Sequence, residues 1–366
     1  MNKNKVLVGL SGGVDSSVTA ALLLEQGYEV IGVTITPFKV DANCRPEDNP
    51  RNCCSYQGMS DANEICKVLG IEHKLIDLTE KFKKEVVDVF VDDYLNGRTP
   101  NPCVICNPKI KWGELLQIAD EMDVHFVAMG HYAKVRYDEN LNRYILSKGD
   151  NPAKDQSYFL WKLSQEQLSR TLFPLGEIKE KSETRAIAKK NNLPVFDKIE
   201  SQEICFVPND DYHTFLLKNV ENINEKIGEG DILFEGNKVG RHKGYPFYTI
   251  GQRKGLGVTH PVPLYVKKIF PETNTIEVGE NDSLNNTGLL ADSVNYIKYP
   301  SLDEKREFIA KIRYKDKGTT AECHLREDGK LEVRFSDIKR AITPGQSVVI
   351  YEGDDVVCGG IIREEF

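Results

Sequence analysis

Along the first half of the chain, short apolar β-rich runs alternate with segments of helical period. Residues 5–10, 28–35, 73–78 and 125–130 read as strands, and 16–26, 60–69, 82–95 and 112–122 as helices. This order predicts an α/β fold: a parallel sheet with helices on both faces. Ligands of such sheets bind at the carboxyl ends of the strands. The second half has a different rhythm. Residues 162–192 read as mostly helical, 183–191 most clearly. From about residue 231, short strands at 246–250, 264–269, 275–278, 308–314, 320–325, 331–335 and 347–351 alternate with turn residues. Glu327-Asp328-Gly329-Lys330 marks a hairpin turn. Strands at this spacing predict a closed or nearly closed antiparallel β-barrel. Residues 37–51, rich in Pro, Asn and Asp, read as a loop.

The chain has 366 residues, which at roughly 100–200 residues per domain predicts two or three domains. No apolar run approaches the roughly 20 residues of a membrane span. The start, MNKNKVLVGLSGG, lacks the apolar stretch and cleavage site of a signal peptide. A cytoplasmic protein with no membrane partner is expected. The net charge of -8 excludes a uniformly basic surface but leaves room for local basic patches. One such patch is residues 238–254, where Lys238, Arg241, Lys243, Arg253 and Lys254 interleave with His242, Tyr245, Phe247 and Tyr248 and no acid intervenes. Residues 305–317 form a second, diluted by Glu307 and Asp316. Patches of this kind neutralise phosphates and stack bases, or form a solvated strand face.

The sharpest motif is Ser11-Gly12-Gly13-Val14-Asp15-Ser16-Ser17, between a predicted strand and a predicted helix. Its glycines let backbone approach an anion, and exposed amides at the helix start supply donors. It is not a Walker A loop, because that spacing and its lysine are absent.

Nine cysteines, an odd number, argue against a disulfide framework. Cys103 and Cys106 form a C-x-x-C in GRTPNPCVICN, stiffened by Pro100, Pro102 and Pro108, with Lys109 and Lys111 nearby. Cys205 stands in SQEICFVP. Read from the residues alone, these three fit reactive thiolates, a zinc or iron–sulfur site, or simple burial. Cys53, Cys54, Cys66 and His73 make a weaker metal candidate. Cys323 and Cys358 read as packing residues.

The heptad resembles the phosphate loop of ATP pyrophosphatases of the adenine nucleotide alpha hydrolase type. These cleave ATP between the α and β phosphates and adenylate a substrate oxygen. Together with GHYAKV (130–135), KDQSYFL (154–160) and FYTIGQRKGLGV (247–258), the loop and both cysteine segments resemble the tRNA-specific 2-thiouridylases over nearly the whole length. That resemblance implies a phosphate-loop domain over 1–208 with a helical tRNA-contacting part, a small central domain over 209–280 and a C-terminal β-barrel over 281–366. It implies that Gly9, Leu10, Ser11, Gly12, Gly13, Val14, Asp15 and Ser16 hold ATP, with Ile35 and Gly130 near the adenosine and Mg²⁺ on the phosphates. It implies catalysis by Cys205, carrying sulfur as a persulfide, and Cys106, which forms a disulfide with it to release the sulfur. Asn101, Pro102 and Cys103 would face the target base. His131, Lys154, Asp155, Gln156, Arg313, Tyr314 and Gln346 would touch tRNA. The implied partners are tRNA for Lys, Glu and Gln and a persulfide donor protein. An iron–sulfur cluster is the less favoured alternative. Where some members carry Asp, this chain has Cys103, a weaker acid by about four pKa units. An acid–base role there does not carry over unchanged. The competing functions are another ATP-pyrophosphatase ligase acting on a small molecule, and a tRNA-binding protein with a metal or cluster on the three cysteines.

Overall fold

The structure is a computed structural model that describes residues 1–37, 56–198 and 204–366. In chain order its strands are β1 (Asn2–Gly9), β2 (Glu29–Thr36), β3 (Glu72–Asp77), β4 (Val124–Met129), β5 (Ala133–Asp138), β6 (Arg143–Lys148) and β7 (Thr171–Leu172). Then follow β8 (Gly230–Phe234), β9 (Asn237–His242), β10 (Tyr265–Phe270), β11 (Thr275–Gly279), β12 (Asn285–Tyr296), β13 (Arg306–Lys311), β14 (Thr319–Leu325), β15 (Leu331–Arg340), β16 (Ser347–Glu352) and β17 (Asp355–Glu365). The first sheet is parallel in the order β3-β2-β1-β4-β7. Val6, Leu7 and Val8 of β1 are all fully buried. Consecutive apolar residues suit a central parallel strand covered on both faces. Helices α1 (Val14–Glu25) and α2 (Tyr56–Leu69) follow β1 and β2. The chain adds β2 and β3 on one side of β1 and β4 on the other, so the order reverses between β1 and β4. That switch point opens a crevice at the carboxyl ends of the strands.

Residues 230–279 form a small sheet in the order β10-β11-β8-β9. The strand expected at 246–250 is instead a 3₁₀ turn, Tyr245–Phe247, followed by irregular chain. Pro246 brings no N–H to a ladder, and Gly244 and Gly251 at φ +127° and +85° bend the chain on either side. The barrel runs β12-β15-β14-β13-β16-β17, and pairing of β12 with β17 closes it. The hairpin at 327–330 is present, with Gly329 at φ +78°. The β5–β6 hairpin, which had no clear sequence signal, extends this sheet from β17 through Ser147 opposite Asp355. Of the expected helical stretch 162–192, only Gln165–Ser169 and Lys181–Lys190 are α-helical, with edge strand β7 between them. Among the described residues no helix is long and apolar enough to cross a membrane. All but Pro37 of the loop expected over 37–51 lies outside the described residues, as do Cys53 and Cys54.

One apolar cluster joins the first sheet to the barrel. Leu7, Val127 and Trp112 lie in it with Tyr158, Trp161, Val349 and Tyr351. Trp161 lies against Gly359 of β17, where a Cβ would come within 2.4 Å of the indole. The barrel therefore has a fixed seat beside the crevice.

Candidate active site

The phosphate loop leaves β1 at Gly9 and enters α1 at Val14. Gly12 has φ +69°, and a Cβ there would fall 2.2 Å from the Gly58 carbonyl oxygen of α2. Only glycine fits both demands. Gly13 precedes α1 without a side-chain cap, leaving the first helical amides to whatever binds the loop. The loop serines brace it: Ser16 Oγ accepts from the Ser11 amide at 3.2 Å and donates to the Gly13 carbonyl at 3.1 Å, and Ser17 Oγ donates to that carbonyl at 2.7 Å. Gly130 follows β4 across the crevice, where a Cβ would lie 2.6 Å from the Ser16 nitrogen. Gly9 is similarly tight, 3.0 Å from Met129 Sδ. Ile35 sits near the end of β2, half-buried. The sequence-expected nucleotide residues thus gather at the carboxyl ends of β1, β2 and β4.

Two lysines that sequence reasoning missed meet this loop. Lys181 Nζ donates to Asp15 Oδ1, which also accepts from the Tyr132 hydroxyl at 2.8 Å. Lys198 Nζ donates to the Gly12 carbonyl at 2.9 Å and pairs with Asp61 of α2. A lysine 166 or 186 positions from its partner leaves no local signal.

Cys103 and Cys106 lie on the helical turn Pro102–Cys106, Cys103 exposed in its first turn and Cys106 half-buried at its end. The helix continues as a π-turn, Asn107–Lys111. Pro108 cannot donate in the α register, and the Trp112 amide reaches back five residues to the Asn107 carbonyl. Lys109 is paired with Glu85. Asn107 is fully buried and donates to the Phe159 carbonyl at 2.9 Å, tying the cysteine helix to the 154–160 segment. Cys205 is half-buried, and its neighbour Phe206 packs edge-on against Phe82 and Phe90 at 5.7 and 5.0 Å. Cys106, Cys205 and Ile35 all border the same apolar cluster of Phe82, Phe90, Ile110 and Phe206. Both thiols and the carboxyl end of β2 therefore border one apolar cluster. Among the described residues no three His, Cys, Asp or Glu side chains group as a metal site. Cys66, Cys323 and Cys358 are buried, and burial pushes the Cys66 and Cys323 thiols up to about 11 and about 12. They are poor nucleophiles near neutral pH.

The residues expected to touch tRNA have varied surroundings. His131 is buried between Trp112 and Phe173, with ring centroids 5.4 and 6.4 Å away. Burial, with Lys111 adding to it, holds its imidazole well below the ordinary value, and its Nδ1 has no hydrogen-bond partner among the described residues. Asp155 is buried and accepts from the Ser157 amide and hydroxyl at 3.0 and 3.1 Å. Gln156 exchanges bonds with the Tyr132 backbone at 2.8 and 3.0 Å, and Lys154 beside it is half-buried. Arg313 donates to the Ala341 carbonyl, and the Tyr314 ring packs on Phe159 at 4.7 Å. Asn101 is half-buried and Pro102 buried. Gln346 donates to the Thr99 and Pro100 carbonyls at 2.9 and 3.0 Å. The basic segment differs from its sequence reading. Tyr245, Phe247 and Tyr248 are core residues, so they cannot stack bases, and His242 is buried as well. Lys238 and Arg241 pair with Asp231 and Glu229, acids brought by β8 and the chain just before it. Arg253 and Lys254 remain exposed.

Comparison with known proteins decides among the competing functions. A tRNA methyl transferase HUP-domain family model matches residues 4–209. A tRNA methyl transferase PRC-barrel model matches 214–280, and an aminomethyltransferase β-barrel model matches 286–362. The tRNA-specific 2-thiouridylase MnmA of Salinibacter ruber is 48% identical over 99% of this chain and 95% of its own length. The chain belongs to the tRNA-specific 2-thiouridylase family. Relatives from Caldanaerobacter subterraneus and Cytophaga hutchinsonii carry the same family name at 49% and 45% identity, over 99% and 100% of this chain and 98% of each relative. In this 2-thiouridylase the loop after β1 and Ile35 lie at the carboxyl end of the first sheet, and the two candidate thiols border the apolar cluster that Ile35 also touches.

Proposed function

We infer that the chain is an ATP-dependent tRNA-uridine 2-sulfurtransferase that thiolates C2 of the wobble uridine of tRNA for Lys, Glu and Gln. The observation that carries this reading is that Cys106, Cys205 and Ile35 all border one apolar cluster, while the glycine-lined loop sits with Ile35 at the carboxyl end of the sheet. We assign the ATP and sulfur chemistry to residues 1–208, and RNA support to a central unit over 209–280 and a barrel over 281–366. The chain would act in the cytoplasm.

The uracil C2 oxygen is a poor leaving group. Residues 9–16 bind the triphosphate through loop amides and serine hydroxyls, Ile35 and Gly130 border the adenosine, and the oxygen attacks the α phosphate as pyrophosphate leaves. Lys181 and Lys198 add positive charge beside the loop. Asp15, at the start of α1, is the carboxylate of the loop that would help hold Mg²⁺, which when bound would neutralise phosphate charge. A donor protein loads Cys205 with a persulfide. Its terminal sulfur attacks C2 and AMP departs with the oxygen. The Cys106 thiolate then attacks the Cys205 sulfur, a Cys106–Cys205 disulfide forms and the thiocarbonyl is released. A cellular thiol reductant restores both thiols. Asn101, Pro102 and Cys103 face a base drawn out of its stack. His131, Lys154, Asp155, Gln156, Arg313, Tyr314 and Gln346 belong to the surface on which the RNA closes.

Incubation with ATP should release AMP and pyrophosphate only when tRNA is present. Release at the same rate without tRNA, driven by a small-molecule acceptor, would favour the ligase alternative.

A further inference from the structure

Asp15 stands in the first turn of α1, beside the helical amides left open for an anion. A bare carboxylate there repels the triphosphate that residues 9–16 are read to bind, and a cation between the two relieves the repulsion. The surroundings of Asp15 suit that role. Its Oδ1 takes two donors from outside the loop, Lys181 Nζ and the Tyr132 hydroxyl, the latter at 2.8 Å. Its Oδ2 makes no hydrogen bond within the described residues. Tyr132 is itself fixed. Its ring is buried in a cluster with Val14, Val18, Leu175, Ile178 and Ala188, and the Lys181 ammonium lies 5.4 Å from the ring centre. Gly149 closes on its backbone, where a Cβ would come within 3.0 Å of the Tyr132 carbonyl carbon and oxygen. Behind the hydroxyl stands Thr184, fully buried, with Oγ1 2.8 Å away. A carboxylate only accepts, so the phenolic proton goes to Asp15 and Thr184 donates to the tyrosine. The chain from Thr184 through Tyr132 to Asp15 thus runs in one direction, each bond strengthening the next. Lys181 opens the helix Lys181–Lys190, the end at which a cation is unfavourable for the helix itself. Its pairing with Asp15 offsets that cost.

We propose that Tyr132, backed by Thr184, is a positioning residue for the cation that accompanies ATP: it holds Asp15 through Oδ1 and leaves Oδ2 for Mg²⁺. The inference rests on the reading of residues 9–16 as the ATP loop. A carboxylate whose other oxygen is hydrogen-bonded keeps one rotamer, and such partners govern metal affinity without touching the ion. Without the hydroxyl the carboxylate is steered by Lys181 alone. The nucleotide then still binds, and its cation is held loosely.

The test reads metal binding without tRNA, sulfur donor or turnover. Mn²⁺, which replaces Mg²⁺ and is seen by electron paramagnetic resonance, is titrated into enzyme saturated with α,β-methylene-ATP. The proteins are wild type, Asp15→Asn, Tyr132→Phe, Thr184→Val and the double variant of Asp15→Asn with Tyr132→Phe. Analogue affinity in EDTA and Tm are measured on each. The wild-type complex should hold Mn²⁺ more tightly than the free analogue does. Affinity should fall roughly tenfold in Asp15→Asn and in Tyr132→Phe, with Thr184→Val between them and wild type. Tyr132→Phe should bind the analogue in EDTA within about twofold of wild type. In the Asp15→Asn background the tyrosine substitution should weaken Mn²⁺ no further. Wild-type Mn²⁺ affinity in Tyr132→Phe or in Asp15→Asn overturns the proposal, as does a wild-type complex no tighter for Mn²⁺ than the free analogue. An equal loss of analogue binding in EDTA makes Tyr132 a shaping residue of the nucleotide pocket and overturns it, and so do additive effects in the double variant. If Tyr132→Phe does not fold, wild-type Mn²⁺ affinity in Thr184→Val overturns it. Failure of the unaltered enzyme to bind the analogue at all would count against the ATP-loop reading instead.

Discussion

Replacing Gly130 with alanine asks whether the crevice between β1 and β4 depends on a close backbone approach. No positive φ requires glycine at this position. The constraint is contact alone: the added methyl would lie 2.6 Å from the Ser16 nitrogen, 2.8 Å from the Asp15 carbonyl carbon and 3.0 Å from Ser16 Cα. All three atoms are backbone at the start of α1, so no flexible side chain can yield, and either β4 or the phosphate loop must retreat. Overpacking of this kind costs about 1–3 kcal/mol. If the loop moves, the cost appears as a KM for ATP raised about 5- to 150-fold at roughly 1.4 kcal/mol per decade. If the sheet end moves, it appears as a Tm lowered by roughly 2–12 °C for a domain of this size. Gly13→Ala is the stability control, because its Cβ would meet only Ser11 Oγ at 3.4 Å and its φ of -104° suits alanine. Thermal scans and pyrophosphate release against ATP concentration read both terms. A Gly130→Ala protein with wild-type Tm and wild-type KM would refute the reasoning.

Lys198→Ala removes a charge-assisted bond to the Gly12 carbonyl and leaves Asp61 without its cation. A loss of about 1.5–3 kcal/mol should slow pyrophosphate release about 10- to 150-fold, with partial recovery in Lys198→Arg, and an unaffected rate would place the lysine outside the nucleotide site. Burial alone would raise the Asp355 carboxyl, but bonds from Arg136, Lys298 and Ser147 outweigh it and hold the group well below the usual carboxylate range. Its stabilising contribution is therefore complete above the unfolded value of about 3.9 and is lost as pH falls through the depressed folded value. Asp355→Asn should lower Tm at neutral pH and flatten the acid limb of a Tm–pH curve, and an unchanged limb would contradict the assignment. Neutralising exposed Arg253 and Lys254 together should reduce the slope of log affinity for tRNA against log salt by about 1.4–1.8 if both contact phosphate. An identical slope would make them solvated charges.

Local pattern revealed the first sheet well, because β1, its glycine loop and α1 are contiguous and each declares itself within a few residues. The barrel was legible as a class, from short strands and the 327–330 turn. The β5–β6 hairpin was not, because it joins the sheet through Asp355, some 208 positions from Ser147. The aromatic residues of 245–248 look available for stacking beside so many cations, yet the Phe82–Phe90 cluster claims them. Apolar burial outweighs any preference to stay exposed for a ligand. The two cysteine segments carried a chemical signal, but only tertiary packing shows that they border the same apolar cluster. Lys181, Lys198 and the grip of Gln346 on Thr99 depend on approach across the fold, which residue spacing does not encode.

The central claim is that sulfur passes through Cys205 and is released by Cys106. Mass spectrometry of tRNA nucleosides after reaction with ATP, Mg²⁺ and a persulfide donor tests it directly, with bound persulfide measured on the same samples. Wild type should make 2-thiouridine. Cys205→Ser should make none and hold no sulfur, Cys106→Ser should hold sulfur and make none, and Cys103→Ser should be milder. Wild-type amounts of 2-thiouridine from Cys205→Ser would contradict the account.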